Sequence, residues 1–596
     1  MSNQAGNSGS ICKPGLPFQL PKGYKPSDFL WGEDGPWPSK PNYEENKCKI
    51  APEVLSNNKE KHEHYPHRIP SCEMDEWQAS LGKYYSPDNF INIAFEAIDY
   101  SEDLLELGWK WNNRFTKDLI EGFLDLWAET GELPDSRKFG DIGAWIDAEG
   151  KYPALSDATF RDLIAHGLLS KLLTAPDPSD KDLFKELLND DTREFWKSDQ
   201  THMSVVLNPW EGEYVAPAIV LLSRPKNPAS GHEYDFQVDA IVLWTQSRRG
   251  GPYNRWELFQ PRDGKSWQLA KYFALQGALV RINLIDHTKV HFPFDAINAI
   301  TKSVLPKGNT ILELLFWHLY LSLPVDNSVL EGKRSLLNRT ENYPYAPYPA
   351  KGDEIRKVFP FYWVGSGTAF DPTEPWSQGR DNAFPPFQFR TEPQAIPSKY
   401  GTFLNRYYAP ILKFTRGVVA SIPDDSKEWG AIGWWANRCA SWIPGFPNGN
   451  EIKDRETLAK TCASIIWSCA IVHSADHWLM HEIFRKKLPT PYIMRDKPPQ
   501  ERRPGAEPDF RPKVRLVTDS IPASLADLLF FRPHNTILLI NVKYDGLKQE
   551  LVDAFHRQLK ETEAALRKEF PEFGIKLKGT DKLDDEQNCF AAGIQF

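Results

Sequence analysis

The sequence predicts a mainly α protein: one large helical domain over 86–596, two long helices through its middle, and a small β element at about 213–246. Three observations predict this. The segments 266–302, beginning "SWQLAKYFALQGALV", and 458–484, "LAKTCASIIWSCAIVHSADHWLMHEIF", are apolar on nearly every face, as a helix enclosed by a core must be. "KQELVDAFHRQLKETEAALRKEF", 548–570, repeats its apolar residues at three and four, so it predicts a surface helix with one buried stripe. Short, β-branched runs bounded by turn residues are confined to "YVAPAIVLLSRP" and "DFQVDAIVLWTQ".

Taken in order, residues 1–85 are dense in Pro, Gly, Asn and Lys and show no sustained period, which predicts an irregular leader draped over the main body. Its "KHEHYPH" stretch offers His62, His64 and His67 as metal donors, but a polar, Pro-broken loop more often leaves such residues solvated. From 86 to 200 the pattern reads as helical, with "INIAFEAIDYSEDLLELGWKW" and "FTKDLIEGFLDLWAE" as its clearest stretches. Beyond the β element the chain returns to helix for most of its length. The closing residues, "NCFAAGIQF", are apolar where a chain end normally frays, which predicts burial.

The bulk properties narrow the function classes. A net charge of −9 offers no basic face for phosphate, so no nucleic-acid partner is expected. No secretory signal is legible in residues 1–30, and no uninterrupted apolar run reaches the roughly 18 residues of a spanning helix. Cytoplasmic location without stable membrane insertion is therefore the expectation. Seven cysteines without a CxxC pair give no disulfide framework, and Cys462 and Cys469 read as buried thiols. Oligomeric state is not legible.

The chemistry is carried by histidine. Among 14 His, chance placement would give roughly a third of one HxxxH pair, by template counting. There are three, His287/His291, His473/His477 and His477/His481, all on the two most apolar segments. Imidazoles four apart stack on one helix face and can converge on one ion. Two facing pairs would enclose a metal in four nitrogens, with His481 as the bystander. Any one buried His is more often a satisfied core residue; two pairs on two core helices favour the metal. Imidazole suits iron, manganese, zinc and copper alike. A zinc hydrolase is one alternative, although neither helix carries HExxH; a binding or scaffold protein without catalysis is another.

At these residues the chain resembles the lipoxygenases. "SWQLAK", followed about twenty residues later by His287 and His291, resembles the W-x-x-A-K element before that family's first two iron ligands. "IIWSCAIVHSADH" is similar to the apolar run that carries the next two, and "EWGAIGWWANR" to the W-W element before it. The likeness covers about 200–596. It implies a non-haem iron centre, with manganese as the other candidate metal, held by His287, His291, His473, His477 and the α-carboxylate of Phe596. It also implies hydrogen abstraction from an activated C–H of an apolar, unsaturated small molecule, a fatty acid or a specialised metabolite, with dioxygen as co-substrate. Three departures accompany it. The first pair is spaced H-x-x-x-H, the regular α interval, where the family has one residue more, and Pro293 after it predicts a kink. Near the family's outer glutamines this chain has Asn283 and Met480, with Asn283 the candidate supporting residue. The Pro-rich leader does not resemble the family's N-terminal β-sandwich.

Overall fold

The computed structural model describes residues 24–30, 149–151, 155–246, 253–320, 322, 349–350, 387–443, 445–485, 493–502, 512–515, 537–578 and 588–594. The helical stretch expected at 86–148, the His62, His64 and His67 cluster, Cys12, Cys48, Cys72 and Phe596 lie outside them. Of the leader, 24–30 is described and does dock on the body: Phe29 is buried and bridges Pro306, and Lys307 N–H donates to the Asp28 carbonyl at 2.8 Å.

The β element is larger than the sequence predicts. Five antiparallel strands run in chain order as a meander: β1 (Leu173–Thr174), β2 (Arg193–Asp199), β3 (Ala218–Pro225), β4 (Gln237–Gln246) and β5 (Tyr253–Phe259). β2 falls inside the stretch predicted as helical, a correction that stems from its neighbour. The apolar run "AIVLL" in β3 pairs residue by residue with it, Lys197 opposite Leu221 and Ser198 opposite Val220. Both faces of β3 and β4 are covered. Val220, Leu222, Ile241 and Leu243 face the main core, while Ile219, Leu221, Ala240 and Val242 close on Phe184. Burial on two sides explains why these strands lack polar alternation.

Helix α1 (Asp157–Ala165) is capped by Ser156, whose hydroxyl accepts from Thr159 N–H. Asp157, its first residue, receives Trp267 Nε1–H at 2.7 Å and the Lys271 ammonium at 2.6 Å. The Trp and Lys of "SWQLAK" thus anchor α2 (Gly264–Arg281) to α1, and that fixes where α2 enters the core.

The segment 266–302 is not one helix. After α2 the backbone widens to a π turn at Ile282–Asp286, tightens to a 3-10 turn at Thr288–Val290, and restarts as α3 (Phe292–Val304) with His291 at the N-cap. Pro293 therefore kinks nothing. It stands in the first turn of a new helix, where its missing N–H has no partner to lose and its fixed φ suits the start.

On the far side of the core, α4 (Lys399–Arg406), α5 (Tyr408–Ala420) and α6 (Glu428–Trp442) lead to α7 (Arg455–Ile466), a π turn at Trp467–Val472, and α8 (His473–Arg485). α6 is held against α3 by Trp435 Nε1–H on Thr301 Oγ1 at 2.9 Å. By length and composition the stretch Arg455–Met480 could cross a membrane; 83% of its apolar window is buried inside the protein, as the central core helix. Cys462 and Cys469 are indeed buried free thiols within it.

The amphipathic helix α9 (Gln549–Glu569) lies where the sequence places it, burying Val552, Phe555, Leu559 and Leu566. Phe555 stacks on Phe414 of α5 with ring centroids 4.4 Å apart. Each such buried side chain contributes about 1.5–3 kcal/mol, enough to hold a helix whose outer face is mostly polar.

Residues 588–594 run into the core, with Phe590, Ala592 and Ile594 fully buried. The segment is clasped between two others: Leu539 N–H donates to Phe590 O, Phe590 N–H to Lys576 O, and Ala592 N–H to Ile537 O. Gly593 lies against the backbone of Trp317 and His318; a Cβ there would come within 2.6 Å of the His318 carbonyl oxygen.

Candidate metal centre

The two π turns end on the histidines. His287 N–H donates to Ile282 O and His473 N–H to Ser468 O, five residues back in each case. A π turn inserts one residue into a helix and rotates the residues beyond it, and it is common at functional sites. His287 and His473 are thereby swung toward each other, with ring centroids 5.2 Å apart. The second histidine of each pair arrives differently. His477 succeeds His473 along regular α8, whereas His291 succeeds His287 through the 3-10 turn. The H-x-x-x-H interval at 287–291 is therefore not the regular α turn that its spacing predicts.

All four imidazoles are buried, and one nitrogen from each lies within 4.8 Å of all the others. His287 Nε2 is 2.9 Å from His477 Nε2 and 3.0 Å from His291 Nε2; His473 Nε2 is 3.1 Å from His291 Nε2. Hydrogen bonding cannot account for this. An imidazole nitrogen has one proton or one lone pair, so His287 and His291, each facing two partners, can satisfy one apiece. At most two of the three contacts are hydrogen bonds. A cation receiving the four lone pairs satisfies every one. Adjacent nitrogens at right angles on a metal with bonds of roughly 2.1 Å stand roughly 3.0 Å apart, and roughly 3.4 Å at a tetrahedral angle. The three short spacings are of the size that donors sharing one ion make, so the donor set fits a metal.

Electrostatics agree. Burial, with neighbouring imidazoles and the Lys171 ammonium, holds His287 well below the ordinary imidazole range, and burial with the other three histidines does the same for His473. Burial pushes His291 down to about 3, against the opposing charge of Asp476. Neutral imidazole is the form that binds a metal.

Sequence reasoning misses three residues: Asp476 beside the site, and two that hold the segment 588–594. Asp476, fully buried in α8, has its Oδ2 3.3 Å from His287 Nδ1 and 2.5 Å from Lys171 Nζ, and its Oδ1 accepts from the Tyr400 hydroxyl at 2.8 Å. Burial pushes this carboxyl above its usual range, with Lys171 and Tyr400 pulling the other way. Burial beside Asp476 holds the Tyr400 hydroxyl protonated, as a donor must be. The one signal in the sequence is the acidic residue itself, inside "IVHSADH". Ser474 and His318 are the other two. They receive the closing segment: Ala591 N–H donates to Ser474 Oγ at 3.0 Å, and His318 Nδ1–H to Ala592 O at 2.5 Å.

Asn283 lies buried within the first π turn, four residues before His287, and Met480 is buried in α8. The backbone of His481 continues α8, and its side chain lies outside the described residues.

No protein-family model matches this chain, and no curated protein matches it in sequence. Solved structures do. A manganese lipoxygenase of Gaeumannomyces graminis matches with a TM-score of 0.51 at 12% identity, over 88% of this chain and 90% of its own. A 9R-lipoxygenase from Cyanothece PCC8801 matches with a TM-score of 0.51 at 14% identity, over 84% and 71%. A lipoxygenase variant in complex with arachidonate gives 0.51 at 13% identity, over 84% and 72%. At such identities the likeness establishes architecture alone: the chain has the fold of the lipoxygenases, with a buried group of four histidines positioned to hold a metal ion.

Proposed function

We propose that the protein is a lipoxygenase-like, metal-dependent oxygenase that removes hydrogen from an activated C–H of an unsaturated, apolar small molecule and uses dioxygen. The convergence of His287, His291, His473 and His477 within this fold carries the reading. The metal is iron or manganese, and when bound it supplies the redox chemistry that side chains lack.

The chain's own part is to present four buried imidazoles and to keep water from them. Each ligand is at most 7% exposed, so the donors enter the site without competition from bulk solvent. Neither histidine-bearing helix carries HExxH, which weakens a zinc-hydrolase reading. A fifth donor, the α-carboxylate of Phe596, rests on the resemblance and on the buried course of 588–594, whose Ala591 bonds the residue next to His473. The arachidonate complex of a structural neighbour supports a fatty-acid substrate class.

The test is elemental analysis of the purified protein, then oxygen uptake with polyunsaturated fatty acids. The expected result is iron or manganese near one per chain and metal-dependent oxygen consumption. Stoichiometric zinc without oxygen uptake, or a folded protein that retains no metal, would overturn it. A short tag appended after Phe596 should abolish both metal retention and activity if the carboxylate is a ligand; a fully active tagged protein removes that ligand from the assignment.

A further inference from the structure

We infer that Asp476 is a positioning residue for the metal centre, fixing the tautomer and ring plane of His287, and that Lys171 and Tyr400 exist to hold Asp476 in that role. The inference rests on the metal-binding reading above and adds residues that neither the resemblance nor the comparisons assign.

Three elements far apart in sequence converge on this carboxylate. Lys171 belongs to a 3-10 turn, Leu168–Leu172, that leads into β1; Tyr400 is in the first turn of α4; Asp476 lies between two of the histidines on α8. The turn and α4 are locked together by Ser170 Oγ–H on Ser398 Oγ at 2.7 Å, and Ser398 is also the N-cap of α4, accepting from Gly401 N–H. Lys171 and Tyr400 are thus delivered to Asp476 as one unit.

A buried carboxylate with a single partner would be costly; this one has three donors across its two oxygens. A carboxylate cannot donate, so the Nδ1 that faces it carries the proton of His287, and the lone pair is left on Nε2 among the other imidazoles. The same requirement recurs in metal sites generally, where the remote nitrogen of a ligating histidine is anchored by a carboxylate or carbonyl.

The experiment uses the full chain freed of metal, with Asp476→Asn, Lys171→Met and Tyr400→Phe compared with the parent. Histidine 15N NMR reads the His287 tautomer, and cobalt(II) titration monitored by visible absorption reads affinity. In the parent, His287 should carry its proton on Nδ1. Asp476→Asn should lower cobalt affinity by about 10–100-fold and alter the absorption envelope; Tyr400→Phe, which keeps the ring, should lower it by about three- to tenfold. Asp476→Glu should restore part of the loss. Parent-like affinity and tautomer in both Asp476→Asn and Tyr400→Phe would overturn the positioning role while leaving the metal centre intact. A parent protein that binds no cobalt would overturn both readings. Should Asp476→Asn not fold, Tyr400→Phe decides alone.

Discussion

The two histidine-bearing routes through the core solve one problem with different backbones. Both widen to a π turn that ends on the first histidine, His287 in one and His473 in the other. Past that point they diverge. α8 runs on unbroken from His473 to Arg485, while the first route tightens at Thr288–Val290 and starts a new helix after His291. α8 also receives the closing segment, through Ala591 on Ser474, and carries Asp476. The second route is thus regular beyond its π turn and the first is not: a shared interval of four residues in sequence need not mean a shared turn in space.

The largest effect should come from the ligands. His287→Ala and His473→Ala should each lower metal affinity by on the order of a thousandfold, beyond what loss of a supporting residue costs, and elemental analysis should find little metal in either. Equal losses sharpen the symmetry of the first histidines; near-complete retention in one would remove that residue from the shell. Next, Gly593→Ala should lower stability by about 1–3 kcal/mol, because the new Cβ meets the His318 carbonyl at 2.6 Å and backbone must move. Thermal melting checks this, and a melting temperature equal to the parent's would show that the closing segment is not clasped as described.

Acid should act through the buried imidazoles. Burial holds His291 at about 3 and, with the Ala592 carbonyl opposing, His318 at about 4. In the unfolded chain both protonate near 6.5, so between roughly 6.5 and 4 the unfolded state binds more protons and native stability falls as the pH is lowered. The metal-free protein should therefore melt progressively lower from pH 7 to pH 5 and show little dependence above 7 from these groups. His318→Gln should shallow that slope without changing metal content; an unchanged slope would place His318 outside the effect. The smallest change is expected for Pro293→Ala, within about 1 kcal/mol and with parent-like metal affinity, since a first-turn proline loses no hydrogen bond. A large loss there would mean that the first route depends on its proline, unlike the second.

The apolar courses of α2 and α7–α8 are legible in the sequence because a helix buried on all sides leaves no polar face, and the histidines stand out as the polar residues such helices would otherwise exclude. The π turns are not legible for the same reason: a helix apolar all round has no stripe whose phase would betray an extra residue. β2, "REFWKSD", does not announce a strand because its apolar residues are few, and its identity depends on the partner β3. Asp476 and Lys171 are 305 residues apart, and nothing local in "LLSKLL" announces that its lysine reaches a metal site.

Each π turn has a consequence for how this chain tolerates change in length. It holds one residue more than the α turn it replaces, so deleting a single residue from Ile282–Asp286 or Trp467–Val472 would let the backbone close to a regular α turn. The histidine that follows would then keep nearly its present place, because an α turn covers about the same rotation and rise with one residue fewer. Winding the same residues at regular α pitch would instead rotate that histidine by about 100° and displace it by about 1.5 Å. Each π turn thus absorbs one residue of chain length without moving the imidazole beyond it.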